Sequence, residues 1–318
     1  MKILYLKNRF LKLFGYIYFL QISCLDAKIE DHLKKAPNKT SIHQIQNIDF
    51  IYMINLDQRP EKFKKCIEQL HPFEIYPYRF SAVNGWELSL EAINDVGVQF
   101  TSDMQGGFPA TTYPIDGDFQ PVHEMLEIPG KTYFCHGTTR GSIGIVLSHL
   151  SVLQDAWDSG YETIWVMEDD IEVMDDPRKI PDLINQLDLL VDKNWDILFT
   201  DLETRDKQGN FVPCSGFAKR PNFTPSKKDR FFYFIKSELN DQFIATGARF
   251  GAYSMIIRRR GMEKILNFWK KYNIFLPFDM DFYLPEGIKL FTTRNAIISS
   301  QPCALTDNAD PNYKKDLK

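Results

Sequence analysis

The chain has 318 residues, 44% of them hydrophobic and 25% charged, and its 38 Lys and Arg stand against 42 Asp and Glu for a formal net charge of −4. A balance this near neutral excludes polyanion binding as a default, and the composition excludes disorder, collagen and repeat arrays. The length allows one large domain or two ordinary ones.

Residues 1–28 carry Lys2, Lys7, Arg9 and Lys12 ahead of the apolar run Leu13-Phe14-Gly15-Tyr16-Ile17-Tyr18-Phe19-Leu20. At about ten strongly apolar residues the run falls short of the roughly 20 that a bilayer-crossing helix needs. It reads as a signal-like or membrane-associated segment, with a buried N-terminal helix as the alternative. Residues 29–48, polar and holding Pro37, read as a linker. The cysteines Cys24, Cys66, Cys135, Cys214 and Cys303 form no C-x-x-C pair, so they are read as reduced thiols packed as small hydrophobes.

From residue 49 the pattern alternates strand and helix, which predicts an α/β domain with a mostly parallel, Rossmann-like sheet flanked by helices. Phe50-Ile51-Tyr52-Met53-Ile54 is a buried strand, and Pro60 opens a helix with Phe63, Cys66, Ile67 and Leu70 on one face. A short strand, Ile75 to Phe80, is placed at an edge by Pro77 and ends in Ala82-Val83-Asn84-Gly85. Residues 100–139, rich in Gly, Pro, Thr and Asp, read as a functional loop or lid. A helix from Arg140 to Asp158 follows, with Ile143, Val146, Leu147, Leu150, Leu153 and Trp157 apolar and Gly160 beyond its end. The strand Thr163-Ile164-Trp165-Val166-Met167 then runs into Glu168-Asp169-Asp170. Beyond it lie a helix around Leu183 and Leu187, the strand Trp195 to Phe199, a polar insertion at 203–229, the strand Ala252 to Ile257 and a helix holding Met262, Ile265, Leu266 and Trp269. Pro277-Phe278-Asp279-Met280-Asp281, a strand near Ile288 to Thr292 and a polar tail at 302–318 complete the chain, with no second-domain linker.

The acidic triplet is the most informative segment. Open α/β sheets bind ligands at the carboxyl ends of their strands. On an extended backbone Glu168 and Asp170 share a side and Asp169 points away. Like charges this close are unfavourable unless a cation or a proton relieves them. Carboxylates suit Mg²⁺ or Mn²⁺, which commonly complete their shell with substrate phosphates. The plain alternative is a solvated loop or the acidic first turn of a helix.

Several motifs, in order, resemble glycosyltransferase family 25, which contains bacterial lipooligosaccharide galactosyltransferases and procollagen galactosyltransferases. They are Ile54-Asn55-Leu56-Asp57-Gln58-Arg59-Pro60; Phe80-Ser81-Ala82-Val83-Asn84-Gly85, with Asn84 where the family usually has Asp; Gly141-Ser142-Ile143-Gly144-Ile145-Val146-Leu147-Ser148-His149; Glu168-Asp169-Asp170; and Gly251-Ala252-Tyr253-Ser254-Met255-Ile256 with Gly261. The resemblance spans residues 49–301 and implies a GT-A-type domain that moves a hexose, galactose favoured, from a UDP-sugar by a single inverting displacement. It implies Mn²⁺ or Mg²⁺ on Asp170, with Glu168 at the metal or the donor. It also implies a nucleotide-sugar site at Asn55, Leu56, Arg59, Val83, Asn84, Gly85, Ser148, His149 and Gln301, while His149 read alone is a hydrogen-bonded core residue. The base would be Asp279 or Asp281, because an inverting transfer needs a carboxylate or His within reach of the acceptor hydroxyl.

The acceptor implied is a glycan or glycolipid, or alternatively a collagen-like hydroxylysine, with no nucleic acid. Peripheral membrane contact through residues 1–28 on the cytoplasmic face is the favoured location, and the secretory pathway is the alternative. Two other classes compete. One is a catalytically inactive family member kept as a binding module, and the other is a metal-dependent phosphohydrolase using the same acids.

Overall fold

The computed structural model describes residues 28–315 except 207, 215, 227–230 and 303. In chain order its strands are β1 (Phe50–Asn55), β2 (Tyr78–Ser81), β3 (Val98–Gln99), β4 (Pro109–Thr112), β5 (Val122–Met125), β6 (Thr132–Cys135), β7 (Thr163–Glu168), β8 (Ile171–Val173), β9 (Ile197–Phe199), β10 (Lys236–Glu238), β11 (Phe243–Thr246), β12 (Ser254–Arg258), β13 (Leu290–Thr293) and β14 (Ile298–Ser300). The helices are α1 (Pro60–Leu70), α2 (Leu90–Val96), α3 (Arg140–Asp158), α4 (Ile180–Val191), α5 (Arg259–Tyr272) and the short α6 (Phe278–Asp281).

The central sheet has eight strands in the order β10-β11-β13-β9-β12-β7-β1-β2. It is α/β and Rossmann-like as expected, and mixed rather than uniform. β1 pairs parallel with β2 and β7, and β9 with β13, while β12 lies antiparallel between β7 and β9, and β11 antiparallel to β13 and β10. Six strands therefore run one way, and β12 and β11 run against them. Alternate residues of β1 and β7 enter opposite cores. Phe50, Tyr52, Ile54, Ile164 and Val166 pack with α3 and α5, whereas Ile51, Met53, Trp165 and Met167 pack with Cys66 and Leu70 of α1 and Ile184 and Leu187 of α4. Both faces are covered, which is why these strands read as continuous apolar runs.

The structure corrects three expectations about segment boundaries. Residues 29–48 are no linker: Ile29 and Ala36 are buried, Lys34 N donates to Ser151 Oγ at 2.9 Å and Ala36 N to Asp155 Oδ1 at 3.1 Å, so the segment runs along α3. Covered there as well as by the sheet, α3 buries Ser148, His149, Ser151 and Asp155 along with its apolar residues. Residues 100–139 are no open lid. With β3 they build a four-stranded antiparallel sheet, β3-β6-β4-β5, fixed to the body where Cys135 N donates to Phe275 O at 2.8 Å. The tail is not free of the body: its residues Thr306, Asp307 and Asn308 lie at the carboxyl ends of β1 and β7, lining one cleft with Ile54 and Glu168. The signal-like segment, residues 1–28, lies outside the described residues except for Lys28. Among the described residues no helix is long and apolar enough to cross a membrane, and Cys66, Cys135 and Cys214 are free thiols.

Candidate functional site

The parallel strands β1 and β7 end side by side, with Ile54 registered against Glu168. Extended backbone stops at Glu168, and Asp169 and Asp170 form a turn into β8. The expected alternation therefore does not apply, and all three acids line one cleft. Glu168 Oε1 lies 2.9 Å from His149 Nε2. Asp169 Oδ2 accepts from Asn55 Nδ2 at 2.6 Å, Asn55 Oδ1 accepts from Arg79 Nε at 2.7 Å, and Lys62 Nζ stands 3.8 Å from Asp169 Oδ1. Asp170 is different: its Oδ1 is buried with no hydrogen-bond partner. Burial first, then the charges of Glu168 and Asp169, push its carboxyl up to about 7.

Those features fit a divalent cation on Glu168 and Asp170, because hard oxygen ligands and uncompensated negative charge are what such an ion requires. No group of three or more His, Cys, Asp or Glu side chains among the described residues converges as a metal cage. The fit is thus to an ion that completes its shell with water and phosphate oxygens, as Mg²⁺ commonly does.

Across the cleft, α3 meets the turn after β2 at a glycine contact. A Cβ on Gly144 would stand 2.5 Å from Gly85 N and 2.6 Å from Val83 O, and one on Gly85 would strike Arg140 O. Gly85 is needed for space here, not for an unusual φ. Ser148 Oγ completes the joint by accepting from Val83 N at 2.8 Å while donating to Gly144 O at 2.7 Å. The G-x-x-G-x-x-x-S-H helix is therefore a docking face for the Val83-Asn84-Gly85 turn, and His149 one residue on reaches Glu168. His149 is buried and stacked on Phe278 with centroids 4.1 Å apart, so it is a packed core residue that also lines the cleft.

Leu56, Arg59, Val83, Asn84, Gly85 and Ser148 line the same cleft, so the structure brings most of the expected nucleotide-site residues together. Asn55 and Gln301 stand behind it. Asn55 Nδ2 also holds Arg59 O at 2.9 Å, and Gln301 holds the acidic turn through its N to Asp170 O at 2.7 Å and its Nε2 to Ile171 O at 2.9 Å.

A second cleft adjoins the first. Ile145, Glu168, Thr306 and Asn308 line both, and the second adds Asp279, Tyr253 and Gly251. Gly251 N donates to Asp279 Oδ2 at 3.3 Å. Burial raises the Asp279 carboxyl above the usual range, and the Glu168 charge adds to the rise. Asp281, two residues on, corrects the expectation that either acid could serve as base. It lines neither cleft and is wholly buried against Arg220, whose Nη2 also donates to Tyr272 O and Asn273 O.

The tail supplies what the sequence reading missed. Thr306, Asp307 and Asn308 line the first cleft beside Lys62, Trp86, Gly141 and Ile145. Asp307 takes a forked pair of bonds from Arg59, Nε to Oδ2 at 2.8 Å and Nη2 to Oδ1 at 3.1 Å. Asn308 Oδ1 accepts from Ser142 Oγ at 2.7 Å, and a Cβ on Gly141 would collide with Asn308 O. The only signal that could have located this segment is Gly141, whose missing side chain marks a close approach.

A family model described as glycosyltransferase family 25 (LPS biosynthesis protein) matches residues 48–283. A "Glycosyltransferase 25 family member" of Drosophila melanogaster is 29% identical over 140 residues, 44% of this chain and 18% of the relative. Its namesake in Aedes aegypti is 28% identical over 144 residues, 42% and 20% respectively. An "Inactive glycosyltransferase 25 family member 3" of Mus musculus is 24% identical over 169 residues, 53% and 24%. The matched region spans about a quarter or less of each of these relatives.

Proposed function

The chain belongs to glycosyltransferase family 25, and on that premise we propose that it is a metal-dependent inverting hexosyltransferase, moving galactose in the first instance from a UDP-sugar to a glycan hydroxyl. The observation that carries the reading is Asp170: a carboxylate oxygen buried without a partner, beside Glu168, in a cleft that adjoins a second one holding Asp279. Mn²⁺ or Mg²⁺ on Glu168 and Asp170 would supply positive charge to the departing diphosphate.

The remaining work falls to the chain itself. The Val83-Asn84-Gly85 turn, Leu56 and Arg59 bound the nucleotide side. His149, fixed by Phe278, orients Glu168 at the junction of the two clefts. Asp279 is the base: its raised carboxyl is better matched to taking a hydroxyl proton near neutral pH than an ordinary aspartate. The acceptor then occupies the Asp279 side and the donor the Asp170 side, with Glu168 between them.

A second reading has support in the printed names, since relatives from Mus musculus and Homo sapiens are called inactive. One experiment separates the two. UDP with Mn²⁺ should raise the melting temperature of the full chain, a chelator should remove the gain, and Asp170→Ala should abolish it, because a ligand that binds only the folded state stabilises it. Asp279→Asn should keep the stabilisation and lose turnover of UDP-galactose by about 10²–10⁴-fold. UDP binding without turnover of any UDP-hexose by the unmodified protein would favour the inactive module, and no response to UDP would overturn both readings.

A further inference from the structure

We propose that Arg59 and Lys62 form a phosphate-oxyanion subsite whose resident occupant is Asp307 of the chain's own C-terminal segment, and that a nucleoside diphosphate enters by taking the place of Asp307. The proposal rests on the donor-cleft reading above and adds the control of access to that cleft.

Arg59 is 6% exposed and Asp307 8%. A guanidinium this deep requires an anion in front of it, because burying an unpaired charge is very costly. Its fork grips a phosphate with the same two parallel bonds it makes to a carboxylate. Lys62 is tied to the same segment, donating from Nζ to Leu305 O at 2.6 Å while facing Asp169. Both cations of the cleft wall are therefore engaged by residues 305–307.

The rest of the grip is neutral. Trp86 Nε1 donates to Asp307 O at 2.7 Å, Asn84 Nδ2 to Tyr313 OH at 2.9 Å, and Tyr313 N to Asp307 Oδ1 at 2.9 Å. Asn84 and Trp86 belong to the turn that lines the cleft, so the segment lies on the surface a nucleotide would use. An incoming diphosphate would bring more negative charge to Arg59, which now meets the Asp307 carboxylate and has Glu61 Oε1 at 3.4 Å from Nη1, and to Lys62, which now meets the neutral Leu305 carbonyl. If the competent state is the one with Asp307 displaced, measured affinity is reduced by the fraction of molecules in that state.

The test uses the full chain, with Asp307→Asn to remove the charge at constant shape and Tyr313→Phe to loosen the segment while leaving the Arg59 pair intact. UDP, inorganic pyrophosphate and uridine are titrated calorimetrically in the presence of Mg²⁺, and hydrogen exchange is followed over residues 305–313. UDP and pyrophosphate should bind about tenfold tighter to Asp307→Asn, a gain of about 1.4 kcal/mol. Binding to Tyr313→Phe should tighten less, and uridine should not respond to either change. UDP should also speed exchange in the segment of the unmodified protein.

If the unmodified protein binds UDP, neither substitution tightens it, and exchange in the segment slows or stays constant, Asp307 is a fixed wall. The proposal then falls while the donor-cleft reading stands. Pyrophosphate binding to Asp307→Asn without any UDP binding would support the subsite and overturn the donor reading. Binding of neither ligand to any of the three proteins would sink both.

Discussion

Asp281 and Asp170 serve the same α/β frame, and burial pushes both carboxyls up to about 7, yet Asp281 is paired with an arginine and Asp170 is not. Asp281 meets Arg220 with both side chains wholly buried. Asp201 is treated likewise, receiving Arg249 Nη1 at 2.9 Å, Tyr253 OH at 2.5 Å and Ser299 Oγ at 2.8 Å. At the end of β7 Asp170 forms no ion pair among the described residues, for Lys62 stands 3.8 Å from its neighbour Asp169; Oδ1 of Asp170, like that of Asp281, is buried without a hydrogen-bond partner. Where the protein supplies a paired arginine, the acid is structural. Where it supplies none, a ligand is expected to bring the countercharge.

The sharpest way to break that contrast is Arg220→Ala. Removing one partner leaves Asp281 buried and uncompensated, which should cost about 3–5 kcal/mol of stability by denaturant titration. UDP affinity of the folded fraction should be unchanged. A loss well under 1 kcal/mol would mean that Asp281 is not held in place by its partner, and the distinction from Asp170 would dissolve.

Gly144→Ala tests the other side of the cleft. The new methyl would meet three backbone atoms of the Val83-to-Gly85 turn, and backbone yields less readily than a flexible side chain. Overpacking of this kind costs about 1–3 kcal/mol. Because the displaced turn lines the cleft, UDP affinity should fall with stability. A stability loss with unchanged UDP affinity would separate the turn from the nucleotide site.

Much of this site is legible in the sequence, for physical reasons. An acidic triplet after a run of buried β residues marks a strand end, and Gly141, Gly144 and Ser148 at helical spacing mark a face built for close approach. The segments that escaped share a different cause. Residues 29–48 and 305–313 are held largely by hydrogen bonds from polar groups, such as Lys34 N to Ser151 Oγ and Trp86 Nε1 to Asp307 O, and such bonds leave no hydrophobic period. The strands between 98 and 135 are two to four residues long, too short for alternation to register. Asp279 and Asp281 belong to the same turn of chain, and partners far away in sequence, Gly251 for the first and Arg220 for the second, separate their environments. The antiparallel course of β12 is equally invisible, because strand direction is not written in local periodicity.

The acid cluster itself makes a prediction about pH. A carboxyl raised to about 7 means that the folded state binds a proton the unfolded chain releases nearer pH 4. Asp170 therefore costs stability above pH 7, and the cost disappears as pH falls toward 4. Asp170→Asn should raise the melting temperature at pH 8 by about 2–4 °C, roughly the equivalent of 1 kcal/mol. At pH 4 the variant and the unmodified protein should melt together. Equal melting at both pH values would mean that the cluster is already neutralised within the chain.

The smallest expected effect belongs to Gln301, and it separates touching a ligand from holding what touches it. Gln301→Ala keeps the backbone bond to Asp170 O and removes only the Nε2 bond to Ile171 O. One neutral hydrogen bond is worth about 0.5–1.5 kcal/mol, and this one is part-buried. If Gln301 acts only on the turn, stability should drop by that amount while UDP affinity stays within about twofold. A loss of UDP affinity larger than the loss of stability would instead put the side chain on the donor, as the family resemblance implies, and would require the turn after β14 to move when donor binds.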